Sequence, residues 1–515
     1  MTSLRESGPN PTMASLPART LGDVSKVVQA LIVLVWVTVP FAVALVAPKD
    51  DRNDYFIATI AVLALASFCL YAISFGLTEA LAVGLIFITN SAFVDYAYLP
   101  RVPLLGGSFF LSDYYVVLAA ACVFLVAKRG EGKLFGSYQK HFCVFAAAVV
   151  FSTLLGLYEK AEVHYVLREL HPLIYYPLGF FIATRALERP GAKPRILIAT
   201  TGIVFVSCVA TVWQLGLTPQ FQFMTFASPV FGLAEGEVLN AQLIRPPSDW
   251  LFVGFLLVAV ATYSYWRKRK VLMLAIVALD VLCILLGYSR TMFIAILGAL
   301  TLLGFVRKRR ILPFIWSSAK TIAVVIVFLT VIYSTVNAIA PGYSEAFQRR
   351  ILGSLATSVV DSDEPFLLGS RVYETQMAME HIVEHPFIGL GAGTAYREVL
   401  PFEFSQTEVS ENPEDARHFM HDVYLFVWMK YGLWGALSAA WLVSHFVREA
   451  WILARQSGAQ ALLYQGVLIA FAGFAIANFA APGFVALPST PTLVSLMAAI
   501  VEVGNRPANL KLRAG

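Results

Sequence analysis

The chain has 515 residues, of which 58% are hydrophobic and 14% charged, and its mean hydropathy is +0.70. A soluble domain carries about 25% charged residues, so an assembly of water-soluble domains is excluded and a polytopic membrane protein is expected, with function in the bundle or its loops. The five cysteines, Cys69, Cys122, Cys143, Cys208 and Cys283, all lie in apolar runs without CxxC or zinc-finger spacing, so neither a disulfide framework nor a Cys-based metal site is indicated.

Residues 1–26 are rich in Ser, Thr and Pro, carry Arg5, Arg19 and Lys26, and are predicted to be a disordered cytoplasmic tail. The apolar stretch 27–47 is too long for a signal-peptide core and lacks an Ala-x-Ala cleavage site, so it reads as an uncleaved first span. The apolar-window rule predicts about 14 transmembrane helices. They fall at 27–47, 55–75, 79–97, 108–127, 140–158, 171–187, 195–215, 249–266, 271–289, 291–306, 319–340, 422–446, 460–481 and 486–503. With these spans, the basic clusters at 128–133, 185–195, 266–270, 307–310, 448–455 and 506–513 all fall on the side of the N-terminal tail, the cytoplasm by the positive-inside rule. The expected organisation is a 1–26 tail, a 27–340 bundle of about 11 spans, a 341–420 extracytoplasmic loop, C-terminal spans over 421–503 and a cytoplasmic 504–515 tail. Segment 216–248 and the Ser289-Arg290 junction also fall outside.

The 341–420 loop carries thirteen acids against five arginines, at 349, 350, 371, 397 and 417, and is therefore −8. The whole chain is +5, which leaves +13 for everything else. The basic balance thus reflects topology and gives no indication of nucleic acid as a partner.

An outward face should be poor in arginine, so each arginine there needs a reason. Arg290 stands at the outer boundary of a span, where it either snorkels to lipid headgroups or binds an anion inside the bundle. Arg245 and Arg168 lie on the same face, and several such guanidiniums suit a diphosphate through bidentate bonds. In the long loop, Arg371 begins a predicted helix, RVYETQMAMEHIVEH, closed by Pro386 and the glycine-rich FIGLGAG at 387–393. A helix-to-turn junction is the preferred reading of those glycines over a nucleotide loop, because no strand precedes them. His381-Ile382-Val383-Glu384-His385 matches a zinc-protease string, but Pro386 follows at once and no third ligand is evident; Asp361-Ser362-Asp363 resembles a DxD, for which a solvated turn is the simpler reading. His421 stands where the acidic loop re-enters the membrane, ahead of Tyr424, Leu425, Gly432 and Gly435. Its ordinary pKa near 6.5 suits it to take a proton from an attacking hydroxyl.

These pieces together resemble the O-antigen ligase and Wzy-type O-antigen polymerase superfamily of bacterial membrane glycosyltransferases. The carriers are the span ending in Ser289-Arg290, the block with Arg371 and Pro386-Phe387-Ile388-Gly389-Leu390-Gly391, and His421-Asp422-Val423-Tyr424-Leu425 followed by Gly432-Leu433-Trp434-Gly435. Asp422 departs from the family's commoner Asn. The resemblance covers roughly residues 240–440 and implies an all-α, GT-C-like helix bundle in the inner membrane, with a helical loop capping a periplasmic cavity. It implies transfer of a glycan from undecaprenyl diphosphate to an acceptor hydroxyl, without metal or nucleotide cofactor. Arg290 and Arg371 would hold the diphosphate, His421 would be the general base, and Arg245, Arg168 and Tyr424 would bind substrate. The acceptor would be another lipid-linked glycan for a polymerase of O-antigen, capsule or exopolysaccharide, which is preferred, or lipid A core for a ligase. Other implied partners are the lipid bilayer, a chain-length regulator and a flippase. A competing class is a lipid-linked glycan transporter, which predicts broken helices in two matching halves; no such internal symmetry is found.

Overall fold

The structure, a computed structural model, describes residues 30–40, 42–43, 52–91, 101–104, 107–126, 134–217, 226–231, 238–245, 249–263, 270–286, 289–307, 334, 365–399, 417–418, 420–456, 458–481, 483–486 and 488–506. The chain divides into two compact units, Met1–Gly76 and Leu77–Gly515. The first holds α1 (Ala30–Pro40) and α2 (Arg52–Phe75), tied by Trp36, whose Nε1 donates to Ser67 Oγ at 2.9 Å.

The second unit begins with α3 (Leu77–Asn90), the hairpin β1 (Arg101–Leu104) and β2 (Gly107–Phe110), then α4 (Leu111–Val126), α5 (Gln139–Tyr158), α6 (Val163–Leu187) and α7 (Ala192–Leu217). A second hairpin, β3 (Phe226–Phe231) with β4 (Val238–Arg245), precedes α8 (Asp249–Thr262), α9 (Lys270–Leu286) and α10 (Arg290–Val306). Then come α11 (Pro365–Glu384), α12 (Val423–Ala454), α13 (Ala459–Ala477), the short α14 (Gly483–Ala486) and α15 (Ser489–Asn505). The architecture is an all-α bundle, and apart from α11, which falls in the predicted loop, its long helices lie on the predicted apolar stretches; the stretch 319–340, residue 334 excepted, and Asp361-Ser362-Asp363 lie outside the described residues. The two antiparallel hairpins are an addition to the sequence reading. Strands of four to eight residues are too short for a 20-residue hydropathy window to register.

Four described helical segments are long and apolar enough to cross a membrane: Ala58–Phe75, Gly136–Tyr158, Ala192–Val212 and Gln460–Ala477. Five shorter apolar helices, Ala30–Pro40, Leu77–Asn90, Leu111–Val126, Asp249–Thr262 and Thr291–Val306, accompany them. Large apolar side chains such as Leu125, Leu154, Val271 and Phe305 face outward, as a surface solvated by lipid rather than water requires. Inside the second unit α6 packs on α15, and α13 packs on α8 and α10. Close approach rests on small residues: Gly179 faces Ser495, and Gly473 faces Leu257 and Ala299, the packing mode favoured where no hydrophobic drive separates helix from lipid.

Polar contacts collect at the two ends of the bundle. At one end Arg195 pairs with buried Glu79 at 2.6 Å, Arg307 Nε donates to Gln465 Oε1 at 3.1 Å, Asn505 Nδ2 donates to Glu449 Oε2 at 2.8 Å, and Arg506 pairs with Glu188. The basic clusters therefore also stitch helix ends together. The opposite end carries the loop after α11 and the start of α12, where the chemistry-bearing residues gather.

Candidate functional site

Pro386 ends α11, because proline disfavours helical backbone in the residue before it and cannot donate an amide hydrogen. The chain then turns through Gly389, Gly391 and Gly393, all in the left-handed region at φ 74°, 91° and 77°. At Gly391 the reason is contact as well as conformation, since an added Cβ would overlap the backbone of Gly156 on α5. The glycines are turn residues, as the sequence reading preferred, and they also bring the loop's backbone against three helices.

The partner of that loop is a break in α12. Gly432 adopts φ 66°, ψ −175° inside the helix, so the i to i−4 ladder is interrupted and the carbonyls of Met429 and Lys430 lose their intrahelical donors. The loop supplies replacements: Leu390 N donates to Met429 O at 2.8 Å and Gly391 N to Lys430 O at 3.1 Å. The Leu433 amide, released on the other side of the break, donates to Pro386 O at 3.0 Å. Ala392 N donates to Ser152 O at 3.0 Å, and Ser152 Oγ donates to Lys430 O at 2.9 Å. Buried backbone groups must be paired, so the broken helix and the glycine loop each supply what the other lacks.

Lys430 lies at this junction with its side chain fully buried, and its Nζ is 2.9 Å from Glu169 Oε1 on α6. The same ammonium donates to Thr394 O, and the other oxygen of Glu169 accepts from Gly393 N at 2.8 Å. The ion pair thus connects α6, α12 and the loop.

His421 sits just before α12. Asp422 is the helix N-cap, its Oδ1 accepting from Tyr424 N at 2.9 Å and Leu425 N at 3.1 Å. An asparagine oxygen would serve equally at that position, which explains why Asp can stand there. The His421 ring is held by Glu374 of α11: Nδ1 is 2.9 Å from Oε2 and 3.2 Å from Oε1, and the His421 backbone amide donates to Oε2 at 3.3 Å. Glu374 is buried, at 3% exposure. Its Oε1 is 3.6 Å from Arg397 Nη2, and that pair is almost wholly buried.

Beside the glycine loop lies a cleft of about 890 Å³, bordered among others by Lys160, His164, Tyr165, His385, Arg417 and His418; His421 and Glu374 are not among its lining residues. His418 stacks on Tyr165 with ring centroids 3.7 Å apart. Burial and then the Lys430 cation push its imidazole down to about 4, so it is uncharged at neutral pH. Lys160, in the turn between α5 and α6, has φ 61° without being glycine, an uncommon conformation that carries strain at the rim of the cleft.

The sequence-predicted residues distribute as follows. His421 is within the cluster. Arg168 is exposed on α6, next to Glu169, and its carbonyl oxygen lies 2.9 Å from His171 Nδ1. Arg371 lies on α11, three residues before Glu374, and Arg290 opens α10; Arg245 ends β4, opposite Phe226. The side chains of these last three arginines lie outside the described residues. Tyr424 turns to α13, donating from its hydroxyl to Ala475 O at 2.6 Å and packing on Phe479. His381 of the zinc-like string is engaged on both ring nitrogens, with Glu384 at 3.5 Å and Tyr396 O at 2.9 Å. Glu374, Arg397, Lys430 and Glu169 were not predicted as site residues. In the sequence, Glu374 and Arg397 were two charges among eighteen in an acidic loop, and Lys430 was one cation inside an apolar run; a lone lysine at membrane depth was the available signal.

Residues 275–440, about a third of the chain, match the family described as O-antigen ligase. The match runs from α9 into α12 and takes in Arg290, Arg371, Glu374, Arg397 and His421. No curated protein matches the chain.

Proposed function

From the match of residues 275–440 to the family described as O-antigen ligase, we propose that this chain is a membrane glycosyltransferase of the O-antigen ligase and Wzy-type superfamily that moves a glycan from undecaprenyl diphosphate to an acceptor hydroxyl on the periplasmic face of the inner membrane. The observation that carries the reading is His421, oriented by a buried carboxylate within the family-matched segment. Displacement at the anomeric carbon requires a proton acceptor for the attacking hydroxyl and stabilisation of the departing diphosphate. His421 takes the hydroxyl proton as the carbon–oxygen bond forms. Arg371 and Arg290 stabilise the leaving diphosphate by charge-assisted bonds, which are worth most where water is excluded, and no metal is needed to supply that charge. Arg168 and Arg245 stand as secondary donor-binding residues. Tyr424 is kept as a substrate-binding proposal through its exposed ring edge, its hydroxyl being engaged.

The acceptor is proposed to be a second lipid-linked repeat unit, making the protein a surface-polysaccharide polymerase, on the strength of the many apolar stretches and the long acidic loop. The family description favours a second reading, ligation to lipid A core. Purified protein given a synthetic lipid-linked repeat unit alone distinguishes them. Chain lengthening is the expected result; no product until lipid A core is added shows a ligase, and lipid movement without any transfer removes the enzyme reading in favour of a transporter.

A further inference from the structure

We propose that Glu374 is the positioning residue of the transfer reaction, fixing the tautomer and orientation of His421, and that Arg397 holds Glu374 in place for that task. The inference rests on the reading of His421 as general base and adds a part to it.

The geometry is specific in three respects. First, the carboxylate holds His421 at two points, the ring Nδ1 at 2.9 Å and the backbone amide at 3.3 Å. A residue held only by its ring could still swing with its loop; holding main chain and ring together removes both freedoms. Second, an ionised carboxylate only accepts hydrogen bonds, so the Nδ1 hydrogen is fixed and the lone pair of neutral His421 falls on Nε2. That is the arrangement a base needs, with one nitrogen anchored and the other carrying the lone pair. As the base takes a proton, the developing imidazolium stands beside a carboxylate that has already been desolvated, so no reorganisation is required at that moment. Third, a carboxylate at 3% exposure has lost its water and needs a partner charge to hold it. Arg397, 3.6 Å away and with its side chain 2% exposed, supplies that partner as a guanidinium.

The arrangement also links the two halves of the site. Arg371 and Glu374 are three residues apart on α11, one turn of one helix. Both positions therefore lie on the one helix that packs against α12.

The test is steady-state kinetics of the full-length protein with a lipid-linked repeat unit, comparing wild type, Glu374→Gln, His421→Ala and the double variant. Glu374→Gln conserves shape but not charge. Its kcat is expected to fall by about 10²-fold, the lower end of what general-base catalysis supplies, with KM within about twofold and an unchanged elution profile. Added to His421→Ala, the same substitution is expected to cost nothing more, because residues acting as a unit are not additive. Wild-type kcat in Glu374→Gln, or an undiminished further loss in the His421→Ala background, overturns the proposal and leaves Glu374 as scaffold. If His421→Ala itself keeps the wild-type rate, the base reading falls and takes the proposal with it; an impaired His421→Ala beside an unaffected Glu374→Gln removes the proposal alone. Should Glu374→Gln fail to fold, Glu374→Asp keeps the charge facing Arg397 but withdraws it from Nδ1. A folded Asp variant with full kcat again overturns the proposal, and a lowered kcat at unchanged KM supports it.

Discussion

His421 combines a half-buried ring with a buried support, and those properties predict different consequences. Replacing it with alanine should leave folding intact and lower kcat by about 10²–10⁴-fold, the share that a general base supplies, as measured by single-turnover transfer to the acceptor. Lys430 is the opposite case. Its side chain has no exposure and faces Glu169 at 2.9 Å, so Lys430→Met strands a buried carboxylate at a cost of about 3–5 kcal/mol. Thermal unfolding in detergent should show a large loss for that variant and a smaller one for Lys430→Met combined with Glu169→Leu, in which no charge is left unpaired. His418 predicts a pH dependence. Its folded pKa lies near 4 because burial disfavours the cation, while the unfolded value is near 6.5. Between those values the unfolded chain binds more protons, so stability falls as pH drops from about 6.5 through 4. His418→Asn should flatten that part of a melting-temperature profile; an unchanged slope would show that other groups carry it.

At the scale of elements, the site depends on a helix that is broken and a loop that completes it. Gly432 is at φ 66°, ψ −175°, backbone that an L side chain enters only with strain, and an added Cβ would overlap Phe387 O. Gly432→Ala should therefore either mend the helix and eject the loop or fail to fold. Either outcome is read as lost monodisperse protein or as new protease cleavage near residue 390, whereas a stable, active alanine variant would contradict the coupling. The same pairing explains why the glycine-rich run sits after a helix rather than a strand. Its left-handed backbone allows close approach to Gly156 and to the Met429 and Lys430 carbonyls, which is a packing requirement and not a phosphate cradle.

At the scale of the molecule, the distribution of charge predicts sidedness. The bundle end with Arg195, Arg307 and Arg506 should be cytoplasmic and the end with His421 periplasmic, because short basic loops resist translocation. In a variant lacking the five native cysteines, Cys introduced at Lys160 should react with an impermeant maleimide on intact spheroplasts, while Cys at Gly458 should react only after lysis. Reversal of that pattern would move the proposed chemistry to the wrong face for a lipid-linked donor.

Length, hydropathy and the placement of Lys and Arg were enough to read an all-helical membrane bundle, because an apolar span must satisfy its own backbone and that demand is written in consecutive residues. The turn glycines were legible for a related reason: a Pro-x-x-Gly-x-Gly run is a local pattern. The short hairpins were not, since four to eight residues carry too little periodicity. Nor was the buried carboxylate that holds His421. Glu374 and His421 are 47 residues apart, and Glu169 and Lys430 are 261 apart; nothing in a sequence window distinguishes a carboxylate solvated in an acidic loop from one that ends buried against a histidine. Only the packing of α11, α6 and the broken α12 decides which charges lose their water, and an ion that has lost its water must find a partner.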